Sequence, residues 1–290
     1  MDTVFAVTLL AVIEEGTVAG AGRRLGITPG AVTLRIKALE REFRTSLVAR
    51  AGRSIVPTAA ALRLVRPLGD IINQTRDLGR IANERQAPSG EIRLGSIATA
   101  STGTLPGLVA SVVRDFPRVD LRIEPGTSDE LKSRVLVGML DAAIIVEGSR
   151  PLLKSETFVP WFEEPMVLIV PPGGRTTDPV SLIGSQPFIR YDRRSIGGML
   201  VDDWLRKNEI YVRERLELDS LEAIVAMVAA GVGVSIIPDW RGPRPEGAKV
   251  DTIELPGSAL VRRVGLYSKR VSARQDLIDL LTPAFRKQRI

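Results

Sequence analysis

Residues 17–40, TVAGAGRRLGITPGAVTLRIKALE, constrain the fold more than any other stretch of this chain. They read as two short helices joined by a tight turn. Thr17 is a natural N-cap for the first. Val18, Ala21 and Leu25 then recur at helical spacing and face a small core. Gly26 stops that helix, because glycine takes the left-handed conformation without steric cost. Ile27 packs back on the core. Thr28 caps the next helix, and Pro29 fits its first turn, where no N–H is needed. Val32, Ile36, Leu39 and Phe43 mark the buried face of this second helix, over 28–43. Thr28, Pro29, Gly30, Thr33, Leu34, Arg35 and Lys37 are left outward, where a recognition helix presents side chains to a DNA groove.

Charge supports that reading. Residues 1–90 hold 13 Lys/Arg against 8 Asp/Glu, a net of +5, whereas residues 91–290 hold 27 against 26. Lys and Arg beside a groove-reading helix neutralise phosphates and release counterions. The chain has no Cys and no His. Disulfides, thiolate nucleophiles, Cys-metal sites and a Ser-His-Asp triad are thereby excluded, and the commonest metal ligand and general base are absent. Neither G-x-S-x-G nor a P-loop is present, so we expect no catalytic residue, metal or cofactor. Gly20 and Gly22 follow a helical pattern rather than a strand, so they do not make a dinucleotide loop; Gly231 and Gly233 lie between a helix and a strand, the wrong order for one. No apolar run approaches the ~20 residues of a membrane span. No basic region followed by an apolar core opens the sequence, so a cytoplasmic protein without a signal peptide is expected.

In chain order, residues 2–15 read as a helix with Phe5, Leu9, Val12 and Ile13 on one stripe, ended by Gly16. Residues 44–59 suggest two extended pieces turning at Gly52. Residues 58–86 form a long helical pattern with Leu62, Val65, Leu68, Ile72, Leu78 and Ile81 as apolar positions; Pro67 is expected to kink or split it. APSG at 87–90 is a hinge. Beyond it, strands alternate with helices, which predicts an α/β domain with mainly parallel pairing. Strands are expected at 91–95, 119–124, 141–146, 166–170, 188–191, 213–218, 232–237 and 261–267. Helices are expected at 105–116, 128–137, 198–207, 220–230 and 273–285.

The segment AGRRLGITPGAVTLRIKALERE resembles the N-terminal signature of LysR-type transcriptional regulators. Thr28, Ala31, Val32, Thr33, Ile36, Lys37, Leu39 and Glu40 match that family's pattern. Pro29, Gly30 and Arg35 depart from it, standing where the family has a polar Gln, a Pro or Ser, and a Gln. A Gln can read adenine with two hydrogen bonds and a Pro cannot. Arg50, Arg53 and Thr58 match the pattern of the family's wing, which implies that Arg50 and Arg53 bind phosphate or the adjacent minor groove. Residues 91–117, 120–145 and 216–238 resemble parts of its effector-binding domain. The resemblance implies a multidomain α plus α/β protein: a winged helix-turn-helix at 1–58, a linker and dimerisation helix at 59–87, and a two-lobed α/β effector domain at 88–290, similar to periplasmic binding proteins. Lobe I would comprise about 91–161 with 267–290, and lobe II about 162–266.

The loop 96–102, SIATAST, sets small hydroxyl residues between a strand and a helix, a setting suited to an anion such as a carboxylate. Thr127 and Ser128 begin the next helix on the same edge. By family position, Thr99, Thr102, Thr127, Ile144, Val146 and Ser195 line the cleft, with Ala100 and Ser128 beside them. Each Ser or Thr is equally readable as a helix cap. Some relatives place a cation where Val146 stands; Glu147 and the apolar Ile144 also count against a strongly acidic ligand. The partners implied are double-stranded operator DNA, a small-molecule effector and further copies of the chain, as a homodimer and a dimer of dimers. The alternatives are an effector-free DNA-binding oligomer and, in another class, a solute-binding protein or enzyme.

Overall fold

The structure, a computed structural model, describes residues 2–52, 54–81, 88–174, 178–257, 260–272 and 274–286. It divides into two compact units, Met1–Gly90 with Ser133–Leu140, and Glu91–Lys132 with Asp141–Ile290.

The first unit opens with α1 (Thr3–Glu15), α2 (Val18–Leu25) and α3 (Pro29–Phe43). Asp2, Thr17 and Thr28 cap them, each side chain accepting a first-turn N–H, and Gly16 and Gly26 close the first two at φ 62° and 65°. Leu9, Val12, Ala21, Val32, Ile36 and Leu39 form one buried core. The wing is β1 (Val48–Ala51) paired antiparallel with β2 (Ser54–Pro57). Three tethers fix it. The Glu40 carboxylate accepts the Leu47 and Val48 N–H groups at 2.7 and 3.3 Å, the Ile55 N–H donates to Gly16 O at 2.7 Å, and the Thr58 hydroxyl donates to Ser46 O at 2.8 Å.

The helix α4 (Ala59–Ile81) runs unbroken through Pro67, so the expected split does not occur. Leu68 and Ile72, just beyond the proline, are buried in the core. Packing therefore holds the turn that the missing N–H weakens. The apolar positions, read as one stripe, belong to two sides. Ala61, Leu68 and Ile72 face inward, while Leu62, Ile71 and Leu78 are exposed.

From Gly90 onward come β3 (Gly90–Ser96), α5 (Ala98–Thr102), α6 (Leu105–Asp115), β4 (Val119–Pro125), α7 (Ser128–Leu136, whose residues from Ser133 count with the first unit), β5 (Ala142–Val146) and β6 (Glu156–Val170). Then come α8 (Pro179–Ser185), β7 (Pro187–Tyr191), α9 (Ile196–Lys207), β8 (Arg213–Leu218), α10 (Leu221–Ala229) and β9 (Ser235–Pro238). The chain closes with β10 (Asp251–Glu254), β11 (Val261–Lys269), α11 (Gln275–Asp279) and α12 (Leu281–Arg286). The main sheet runs β10-β6-β11-β5-β3-β4, with β9 also on β6. A single bridge, Phe188 to Val234, ties the parallel pair β7–β8 to the residue before β9.

Strand β6 organises this unit. Residues 156–165 pair with β11, and residues 166–170 pair with β9 and β10. In the second half the strand period sorts side chains between two cores. Met166, Leu168 and Val170 meet Phe188 and α9 residues Val201, Trp204 and Leu205. Val167 and Ile169 meet Ile189 and α10 residues Ile224, Val225 and Val228.

The sheet is mixed rather than mainly parallel: β6 pairs antiparallel with β9, β10 and β11, and β11 with β5, while β3–β5 is parallel. Only the end of β6 was legible, because Pro160 and Pro165 argue against a central strand. The structure accommodates Pro160 with a register shift between Val264 and Gly265, whereas Pro165 pairs with Val261, the first residue of β11. The loop at 96–102 contains α5, and α8 and β10 are additions to the expected elements. The strand expected from 232 starts at Ser235, behind Gly231 at φ 77°. The closing helix is two helices, with Ala273 outside the described residues. Pro283 is tolerated only near a helix start, so the helix begins again at Leu281.

Candidate DNA-contact face and ligand cleft

On α3, Thr28, Pro29, Gly30, Thr33, Leu34 and Lys37 are exposed, as the helical period requires once Val32, Ile36 and Leu39 are buried. Leu34 is 68% exposed. The Thr33 hydroxyl donates back to Pro29 O at 3.0 Å, leaving its lone pairs outward. Arg35 lies apart from this face: it is half-buried, with a guanidinium N–H 3.4 Å from the Thr8 hydroxyl of α1. Arg50 is exposed on β1, opposite Ile55. Arg53 lies outside the described residues. Among the described residues, Lys37 and Arg50 have no acidic partner.

A hollow beside α3 is lined by Leu34, Lys37, Arg41, Arg44, Thr45 and Ser46 together with Glu40, whose carboxylate accepts the Leu47 and Val48 N–H groups. Arg41 and Arg44 were missed as candidate DNA contacts. The signal was available, since both follow Lys37 at helical spacing and share its face. Arg44 ends α3 in the left-handed conformation, φ 51°.

The candidate ligand residues fall at four places in the second unit. Thr99, Ala100 and Thr102 sit on α5, Thr127 and Ser128 at the start of α7, Ile144 and Val146 on β5, and Ser195 at the cap of α9. Two hydrogen bonds bring the first three groups together: Ile97 N–H to Ile144 O at 3.2 Å, and Val146 N–H to the Ser128 hydroxyl at 3.1 Å. Ser195 belongs to the other half of the unit. It meets this edge through its neighbour Ile196, whose Cδ1 would lie 3.8 Å from a Cβ placed on Gly148.

Most of the hydroxyls are committed internally. Thr99 accepts from the Arg262 guanidinium at 3.0 Å. The Thr102 hydroxyl, exposed, lies 3.4 Å from Ala98 O. Thr127 and Glu130 cap each other, the Thr127 N–H donating to the Glu130 carboxylate at 2.9 Å and the Glu130 N–H to the Thr127 hydroxyl at 3.4 Å. Ser195 donates to Asp192 O at 2.7 Å and accepts from Gly198 N–H at 2.9 Å. Ala100, Ile144 and Val146 are buried, Ile144 completely.

Arg262 and Glu164 were not singled out from sequence. Both are buried, and Arg262 Nε donates to the Glu164 carboxylate at 2.6 Å. Two arginines in an otherwise apolar strand, VRRVGLY, were the available signal. In the other half, Arg190 is buried and bridges Asp202 and Glu214 at 2.6 Å each. Hydrogen bonds from Arg193, then from Arg190, hold the Glu214 carboxyl below its ordinary value. The hydrogen bond from Arg194 does the same for Asp192.

A winged helix-turn-helix followed by a two-part α/β unit defines a DNA-binding protein carrying a ligand-binding domain. The LysR substrate binding domain profile matches residues 85–288, and that of the bacterial regulatory helix-turn-helix protein, lysR family, matches residues 6–62. The chain belongs to the LysR family of DNA-binding transcriptional regulators. It is 30% identical over 228 residues to the uncharacterized HTH-type transcriptional regulator YusT of Bacillus subtilis (strain 168), covering 78% of this chain and 75% of that one. It is 26% identical over 227 residues to the HTH-type transcriptional regulator CzcR of Bacillus anthracis, covering 78% and 76%. The fold is shared with a full-length OxyR variant from Pseudomonas aeruginosa, at TM-score 0.69, 20% identity and coverage of 99% and 95%. It is shared also with full-length CbnR complexed with its target DNA, at TM-score 0.63, 18% identity and coverage of 99% of each chain. No helix among the described residues is long and apolar enough to cross a membrane.

Proposed function

We propose that this regulator binds operator DNA as a dimer, through α3 and the β1–β2 wing of each chain, under control of a small molecule in the effector domain. Thr28, Pro29, Gly30, Thr33, Leu34 and Lys37 meet the major groove, Arg41, Arg44 and Arg50 the phosphates, and Arg53 extends the wing contact. Arg35 contributes by bracing α3 on α1. The observation that carries the reading is the exposed face around Leu34, flanked by cations without acidic partners. The functional divisions are residues 1–58 for DNA, 59–87 for dimerisation and 88–290 for the effector, with lobes at about 91–161 plus 267–290 and about 162–266. The exposed Ile71 and Leu78, seven residues apart on one side of α4, supply an apolar strip for a second chain. CbnR, of the same fold, has been solved with its target DNA, which supports operator binding here.

Effector control rests on Thr99, Ala100, Thr102, Thr127, Ser128, Ile144, Val146 and Ser195 framing a cleft between the lobes. Footprinting on the DNA upstream of the gene, at two salt concentrations and with competitor DNA, tests the operator reading. Two protected half-sites in phase are expected; diffuse, salt-sensitive binding would refute it. A second reading, in which the C-terminal domain only oligomerises, draws on the hydroxyls of Thr99, Thr127, Ser128 and Ser195 being spent inside the fold. Saturable thermal stabilisation by a small ligand would exclude it.

A further inference from the structure

One pocket of the second unit contains none of the residues assigned above. It lies beneath residues 148–152, between β5, the β6–β11 pair and α7, and has a volume of about 190 Å³. Its lining includes Lys132, Ile145, Glu147, Leu152, Phe158 and Tyr267.

The ammonium of Lys132 is its distinctive feature. The side chain is only 13% exposed, and the nearest carboxylate, the solvent-exposed Asp129, is 4.0 Å away, too far to hydrogen-bond. Among the described residues Lys132 makes no hydrogen bond. An ammonium this buried, held only by a loose ion pair to an exposed carboxylate, gains from an anion that hydrogen-bonds to it. The pocket's other charged groups are committed: Arg150 to the buried Glu156 at 2.9 Å, and Glu147 to Arg263, outside the pocket, at 3.1 Å. The N–H groups of Gly148, Ser149 and Arg150 also have no acceptor among the described residues. At the floor, the buried Tyr267 phenol lies beside Glu156, without a hydrogen bond of normal geometry.

We infer that this pocket binds a small monocarboxylate, with Lys132 as its countercharge. Ile145, Leu152 and Phe158 suit a short apolar tail better than a phosphate. The volume matches roughly six waters, at about 30 Å³ each, so the ligand has only a few carbons. Gly148 makes room for the ammonium, since a Cβ there would lie 2.8 Å from Lys132 Nζ. The inference requires neither DNA binding nor the cleft at Thr99.

The test uses the full-length protein and butyrate as probe, with butyramide as the neutral analogue and ionic strength held constant. Butyrate should raise the melting temperature saturably and give a binding isotherm by calorimetry; butyramide should do neither. Lys132→Met should weaken butyrate by roughly tenfold or more, the factor that about 1.4 kcal/mol of charge-assisted hydrogen bonding represents. Gly148→Ala should weaken it too, by displacing the ammonium. It displaces only the end of a flexible side chain, so it keeps the fold should Lys132→Met not. Equal response to butyrate and butyramide, unchanged affinity in Gly148→Ala, or no response of the wild type to butyrate would overturn the assignment. The readout involves no DNA, so failure here leaves the operator footprint standing, and the converse.

Discussion

The two units treat their polar groups in opposite ways. Around α3 and the wing, Lys37 and Arg50 stand in solvent without acidic partners, and Leu34 is uncovered. In the second unit, Arg262 is bonded to Glu164 and Thr99, Arg190 to Asp202 and Glu214, and the Ser128, Ser195 and Ser220 hydroxyls to backbone N–H groups. The first arrangement suits a large polyanion, which needs exposed charge and little rearrangement. The second suits a stiff framework, in which a ligand gains affinity only from groups that the framework leaves unsatisfied, as at Lys132.

The contrast can be broken at several points. The largest effect is expected from Arg262→Met, which strands a buried carboxylate. A loss of about 3–5 kcal/mol should appear in urea unfolding of the effector domain. A loss below about 1 kcal/mol would mean that the Arg262–Glu164 pair is not what stiffens the framework. Next comes Leu39→Ala in the core of the first unit, with a cost of about 2–5 kcal/mol. Calorimetry should show its transition moving while that of the second unit stays; coincident movement would show that the units unfold together.

Lys37→Ala/Arg50→Ala should lower operator affinity about tenfold, or ~1.4 kcal/mol. It should also reduce the slope of log affinity against log salt by about 1.8, near 0.9 for each phosphate no longer neutralised. An unchanged slope would remove both residues from the DNA interface. Glu40→Gln should cost about 1–2 kcal/mol, because a neutral amide is a weaker acceptor for the Leu47 and Val48 N–H groups. Faster proteolysis at the wing would report it.

The smallest effect concerns acid. Burial opposes ionisation of Glu156, but hydrogen bonds from Arg150 and the Leu153 N–H hold its carboxyl below the ordinary value of 4.5, and Glu214 is likewise lowered by Arg193 and Arg190. For groups depressed by folding, the stability they contribute is present above pH 4.5 and is lost as pH falls through their lower native values. The effector domain should therefore loosen first as pH drops below that point, as near-UV circular dichroism would show. Prior loss of the first unit would contradict this.

Legibility in sequence followed the range of the interactions. The helix-turn-helix was readable almost residue by residue, since Thr17, Gly26, Thr28 and Pro29 act within one turn of their own positions. The exposed face of α3 followed from the same period. Arg35 escaped, because its partner Thr8 lies 27 residues away. The effector domain was legible as alternating elements, but β6 was hidden by two prolines, one at a bulge against a distant strand and one opposite that strand's first residue. Thr99 looked free because Arg262 is 163 residues distant. Lys132 carried no signal, since only the folded chain shows that its ammonium is largely buried beside a pocket.

The single strand β6 has a consequence for how such a protein can be taken apart. Its first ten residues are hydrogen-bonded into one half of the effector domain and its last five into the other, with no loop between. A cut or insertion near Pro165 would leave both fragments with an unsatisfied sheet edge, prone to self-association. The two halves are therefore one heritable piece: chains can gain or lose material at the turns around them, but the halves cannot be shuffled separately into other proteins.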